Sequence, residues 1–211
     1  MNAKNDMSSL IISHLTLRIL IGVLGCSLPI VLILGCLIRG DCTTVQDSIS
    51  AYYYTPLRDV FVGFLFVLGF FLLTYKGYRG DNIVANIGFV FALGVALFPH
   101  QSGHIIIKVL HFVCAGLLFG VFAYFALVLF RKGDDNPTNQ KKRRNLLYLI
   151  CGILIIVFIS FIPLSMVLFT DEALSRFNLT FWFEALAMWS FGFSWLVKGG
   201  ILWRDATGLN S

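Results

Sequence analysis

The 211 residues are 58% hydrophobic and only 13% charged, with 21 phenylalanines, where soluble domains carry roughly 25% charged residues. That balance excludes a soluble globular domain and a disordered chain, and it points to an all-α polytopic membrane protein. The net charge of +5 does not imply a nucleic-acid partner, because the basic residues sit in loops where membrane topology and attraction to anionic lipid account for them.

Taken in chain order, the first 14 residues are polar and mixed in charge. The apolar run after them is too long for a signal-peptide core and reads as a retained helix. Six apolar segments approach the roughly 20 residues that cross a bilayer core: 15–38, 57–75, 83–98, 105–130, 146–169 and 179–203. They make one transmembrane domain over 1–211. Pro29 and Pro163 fall inside the first and fifth, where a kink is expected. Gly116 and Gly120 form a GxxxG in the fourth, and Gly88, Ala92 and Ala96 share a face of the third; small residues of this kind let helices approach closely in lipid. The five cysteines, Cys26, Cys36, Cys42, Cys114 and Cys151, contain no CxxC pair and imply no disulfide scaffold.

Orientation follows from the loops. "RKGDDNPTNQKKRR" carries six basic residues; with it in the cytoplasm, alternation adds Lys4, Arg18, Lys76, Arg79, Lys198 and Arg204 to the inside and leaves Arg39, Arg58, Lys108 and Arg176 outside, twelve against four. Both termini are therefore expected in the cytoplasm of a multi-pass protein of a plasma or bacterial inner membrane. Three segments on that side, "YKGYRGD", "RKGDD" and "VKGGILWRD", place Lys before Gly near a helix end, as ordinary capping would.

The specific chemistry collects on the other face. "QDSISAYYYTPLRD" follows the first span, and "PHQSGHIIIKVLH" brings His100, His104 and His111 to the same side. Pro56 suits a first helical position with Thr55 as its cap. At least one of Tyr52, Tyr53 and Tyr54 should reach into the bundle with its hydroxyl paired. Asp59, His111 and Glu184 all fall within about 10 Å of the outer interface at 1.5 Å per residue. Glu184 is the only acid well inside a predicted span, and such a group needs a partner; Arg58, Lys108, His111 or a loop tyrosine should supply it. The expected binding pocket comprises Ser48, Ser50, Tyr53, Tyr54, Arg58, Asp59, Lys108, His111 and Glu184. Plainer readings stand beside it: Lys108 snorkelling to the interface, Asp59 at a helix N-terminus, and the tyrosines as an interfacial belt.

The stretches "SISAYYYTPLRDVFVGFLFVLGFFLLTYKGY" and "DNIVANIGFVFALGVALFP", with "FWFEALAMWSFGFSWLVKG" after them, resemble the membrane family known as domain of unknown function 998. A more distant likeness runs to the Frag/DRAM/Sfk-type six-helix proteins. Both resemblances imply a six-helix fold and no reaction. Ser48, Asp59, His100, His104 and His111 also supply residue types like those of the alkaline ceramidase and adiponectin-receptor hydrolases, although this chain has six predicted spans and lacks the first helical histidine.

Two functions therefore compete. One is a pocket for a lipid headgroup, a small amphiphile or a partner membrane subunit. The other is a metal-dependent hydrolase of a lipid-like substrate, with zinc on His104, His111 and Asp59. A transport role with Glu184 as a proton carrier is the third reading.

Overall fold

The computed structural model describes residues 13–40, 42, 44–77, 80–133 and 138–203. The predicted inside residues Lys4, Arg79 and Arg204 lie outside them. All regular structure among the described residues is helical. Helix α1 is His14–Arg39; Ser13 opens it, its Oγ accepting from the Thr16 amide at 3.1 Å, and Gly40 closes it at φ 72°. A short 3₁₀ helix, Ser50–Tyr54, precedes α2, Arg58–Leu73. Helix α3 is Asp81–Leu97 and α4 is Ile105–Tyr124, continued by a π turn over Phe125–Leu129. Helix α5 is Asn139–Leu168, α6 is Asp171–Phe177 and α7 is Leu179–Lys198.

Each predicted apolar segment is helical, with informative differences. Helix α5 starts seven residues before its apolar run, because Thr138 caps it through the Lys141 amide and draws the basic residues into its first turns. The segment "TDEALSRF", expected as loop, folds as α6 between the Thr170 cap and Asn178 at φ 48°. Helices α1 and α5 run unbroken through Pro29 and Pro163. Among the described residues three helices are long and apolar enough to cross a bilayer: α1, α4 with its π turn, and α5. Helices α2 and α3, at 16 and 17 residues, span about 24–26 Å against a core of about 30 Å. In α7, Glu184, Ser190, Ser194 and the tryptophans dilute the apolar run.

The long helices close a ring in the order α1, α2, α3, α4, α5, α7 and back to α1. One end carries the loops with the three tyrosines and the histidines, and is called here the tyrosine end. The other, the basic end, carries Lys132, the start of α5 and the end of α7. An aromatic core fills the ring near the basic end. Trp195 is fully buried, with Tyr75, Phe125 and Phe130 at centroid distances of 5.1, 5.1 and 5.0 Å, and Phe122 stacks on Phe191 at 3.7 Å.

The glycines divide by what faces them. A Cβ on Gly192 of α7 would stand 2.7 Å from both the Cys26 amide nitrogen and the Gly22 carbonyl oxygen of α1, so these two backbones touch. Gly88 packs against Val121 and Leu72, as its small-residue face predicts, whereas Gly116 and Gly120 meet nothing within 4 Å. The GxxxG of α4 therefore makes no close helix contact; it lines a shallow groove beside α5 with Ile155 and Ser160. Cys36 and Cys42 form a disulfide, Cα–Cα 5.2 Å, across the end of α1. This corrects the expectation drawn from cysteine spacing: a loop folding back needs no CxxC pattern to bring two thiols together.

Candidate functional site

The loop after α1 folds over the tyrosine end and is built from its own polar atoms. Ser48 Oγ accepts from the Ala51 amide at 3.0 Å and lies 3.2 Å from Ser50 Oγ, which starts the 3₁₀ turn. Thr55 donates to the Tyr52 carbonyl and accepts from the Leu57 amide at 3.1 Å, three residues before α2 begins; the helix itself starts from Leu57 with no side-chain cap, so Thr55 and Pro56 are not its cap and first residue as expected. The consecutive tyrosines diverge as a 3₁₀ geometry requires. Tyr52 is fully buried, its ring centroid 6.1 Å from that of Phe181, and burial raises its phenol pKa. Its hydroxyl lies toward the Gln46 backbone but outside hydrogen-bond geometry, whereas the outer two hydroxyls are paired. Tyr53 accepts from Arg58 Nη2 at 2.8 Å under a cation–π contact of 4.5 Å, and Tyr54 accepts from the Gln101 amide at 2.9 Å.

The nine residues expected to share one pocket separate into two layers. Ser48, Ser50 and His111 are buried and Glu184 is half-buried, while Tyr54, Arg58, Asp59 and Lys108 are exposed and Tyr53 is half-exposed at the rim. Arg58 and Asp59 occupy the first turn of α2 and Lys108 the first turn of α4, where side chains are exposed, while His111 lies one turn deeper and is buried. Glu184 has none of its expected basic or phenolic partners. Its Oε2 accepts from the Ile49 amide at 2.6 Å, so the carboxyl group latches the loop to α7. A second tie, from the Phe181 amide to the Asp47 carbonyl at 2.9 Å, runs beside it. A small cavity of about 40 Å³ lies beneath, lined by Ser50, His111, Glu184 and Met188 among apolar side chains.

His111 joins this cavity to the surface. Its Nδ1 is 2.6 Å from the Phe98 carbonyl oxygen, which can only accept, so Nδ1 carries a proton in this contact, and the Val95 carbonyl is a second backbone acceptor at the ring. His100, on the loop between α3 and α4, sets its ring 5.5 Å from that of His111 and 5.3 Å from Tyr54. Its Nδ1 is buried without a hydrogen-bond partner. Burial first, then His111 and Lys108, pushes the His100 pKa down to about 4, so the ring is neutral near pH 7. His104 instead stands exposed at the cap of α4. Among the described residues no three His, Cys, Asp or Glu side chains are grouped as metal ligands, so His104, His111 and Asp59 do not assemble the expected zinc set.

Sequence reasoning placed His100 on the correct face but outside the pocket, and missed Met188. The four-residue spacing of Glu184 and Met188 on one helix was the available signal; nothing local announced that Pro99–Gly103 turns His100 back onto His111.

No curated protein and no solved structure matches the chain. A family model described as copper resistance protein D-like, N-terminal domain, matches residues 99–207. The matched stretch starts at the His100 turn and includes His111, Glu184 and Met188; the tyrosine-rich loop lies outside it. This overturns the resemblance to domain of unknown function 998 and to the Frag/DRAM/Sfk-type proteins, which rested mostly on that loop and the helix after it. With just over half its length matched, this membrane protein belongs to the copper resistance protein D-like, N-terminal domain family.

Proposed function

We propose that the chain handles copper and receives a cuprous ion at the His100–His111 pair, with Met188 as the next soft donor inward. The observation that carries this reading is the His111 hydrogen bond to the Phe98 carbonyl. A metal-binding histidine characteristically gives its other ring N–H to a backbone carbonyl, which fixes the tautomer and aims the free nitrogen. The neighbouring imidazole is neutral, as a metal ligand must be, and has an orphaned buried nitrogen. Imidazole and thioether donors suit copper better than hard cations, and the family name points to the same metal. His111 belongs to both the ring pair and the inner cavity with Met188 and Glu184, which gives the ion a route from the tyrosine end into the ring.

A lipid headgroup and a hydrolytic centre are less well supported. Ligand pockets of that kind measure about 300–1,000 Å³, and the cavity at Glu184 offers about 40 Å³, space on the scale of a water.

The finer membrane arrangement within this reading is six spans, with both termini and the basic end in the cytoplasm of a multi-pass protein. The twelve-to-four charge split supports it. So does the Cys36–Cys42 disulfide, since disulfides persist in oxidising compartments and this one lies at the tyrosine end. An impermeant thiol reagent should label Glu172→Cys in intact cells and leave Asn139→Cys unlabelled; the reverse pattern would invert the topology.

Copper binding is tested with the purified full chain, cuprous ion kept reduced by ascorbate, and a chromophoric chelator as competitor. The wild type should hold about one ion per chain. His100→Ala and His111→Ala should each weaken binding by at least about tenfold, while Met188→Leu leaves the first ion in place. A double histidine variant that competes as well as the wild type overturns the assignment.

A further inference from the structure

The copper reading uses the tyrosine end and leaves the cations at the basic end without a role. We propose that Arg18 and Lys198 form a binding site for a phosphate group at the mouth of the helix ring.

Both residues lie inside long helices, Arg18 in the first turns of α1 and Lys198 at the last residue of α7. Both are half-buried. Lys198 Nζ donates to the Phe130 carbonyl at 3.2 Å and stands over the rings of Phe130 and Tyr148, 5.3 and 5.9 Å from their centroids. The Arg18 guanidinium lies 5.8 Å from the Tyr75 ring, and its Nε is buried with no hydrogen-bond partner. The positive charges of Arg18, Arg144 and Lys141 reach Lys198, and among the described residues Asp81 opposes them there. Asp81 is itself buried and committed to Lys132 Nζ at 2.8 Å.

Charged side chains within membrane helices normally pair or mark a site. Helix ends give a partial answer: α2, the π turn and α7 finish here, and their carbonyls carry the negative end of the dipole. Lys198 uses that field through Phe130. Arg18 does not, and its planar fork matches a phosphate, to which Lys198 adds a compact point charge. Aromatic rings flank both cations, and a charge-assisted bond is stronger where the local dielectric is low. The ligand chemistry is thus a phosphate monoanion or diester, supplied either by an anionic lipid or as free phosphate.

Thermal unfolding of the detergent-solubilised full chain tests this, with inorganic phosphate at constant ionic strength in one arm and phosphatidylglycerol mixed micelles, against phosphatidylcholine, in the other. At a hundredfold excess over Kd the midpoint should rise by roughly 5–10 °C. A rise in the first arm assigns free phosphate; a rise with phosphatidylglycerol alone assigns the lipid. Lys198→Met and Arg18→Gln should each remove the shift, and Arg18→Lys should keep part of it. No rise in either arm overturns the site, as does an equal rise in Lys198→Met, a variant that keeps the length and apolar stem of the side chain if Arg18→Gln fails to fold.

Discussion

Gly192→Val should all but abolish recovery of folded protein from the membrane, while Gly116→Val should be recovered at wild-type levels. A Cβ at position 192 would sit 2.7 Å from the Cys26 nitrogen and the Gly22 oxygen, both main-chain atoms of a neighbouring helix. A flexible side chain could swing aside; backbone cannot, so α1 and α7 must separate. Adding methylenes to a packed core costs about 1–3 kcal/mol, and separating two helices along a shared face adds the dispersion of every contact they lose. Gly192→Ala alone should therefore cost about 3 kcal/mol or more, read as a fall in thermal midpoint. In lipid the loss is not compensated by hydrophobic pressure, because tails solvate an exposed apolar helix face as well as a partner helix does. At Gly116 an added side chain meets nothing within 4 Å. Equal recovery of the two valine variants would mean that the α1–α7 contact does not hold the ring.

The same contrast shows what the residues alone could convey. Apolar runs gave helix positions to within a few residues, because lipid admits no irregular backbone without internal partners. The small-residue face of α3 makes its contact as read, but that of α4 does not: Gly116-xxx-Gly120 has the sequence of an association motif and Gly22, Gly25 and Gly192 do not, yet it is the latter that pack backbone to backbone. A spacing rule describes one helix, and contact is a property of two. Helix ends failed where capping chemistry overrode hydropathy, at Thr138 and at Thr170.

The site was legible by composition and illegible by pairing. The tyrosine loop, the histidines and Glu184 do meet at one end of the ring, as depth counting implied. Depth says nothing about azimuth, so Arg58, Asp59 and Lys108 were grouped with Glu184 when they face outward. Searching for side-chain partners also hid the actual one. The Ile49 amide is invisible to any argument about residue types, because every residue but proline carries such a donor.

Two substitutions should separate the hydrogen bond made by Glu184 from its position in the cavity. Glu184→Gln keeps an amide oxygen where Oε2 accepts from Ile49, so the loop over 44–57 should stay latched and the thermal midpoint should remain close to wild type. Glu184→Ala removes the acceptor and leaves a part-buried backbone N–H unsatisfied, a loss of about 1–3 kcal/mol. It should also make residues 44–50 the first site of limited proteolysis, since of the two ties to α7 only that from the Phe181 amide to the Asp47 carbonyl remains. If copper passes inward beyond His111, the carboxyl group of Glu184 lies on its path beside Met188, and Glu184→Gln should slow copper release to the basic end in reconstituted vesicles without changing capture of the first ion. A Gln variant as unstable and as protease-sensitive as the Ala variant would show that charge, and not the hydrogen bond to Ile49, holds the loop. An Ala variant with wild-type stability and an intact loop would remove Glu184 from the architecture and leave its position in the cavity to be explained by copper alone.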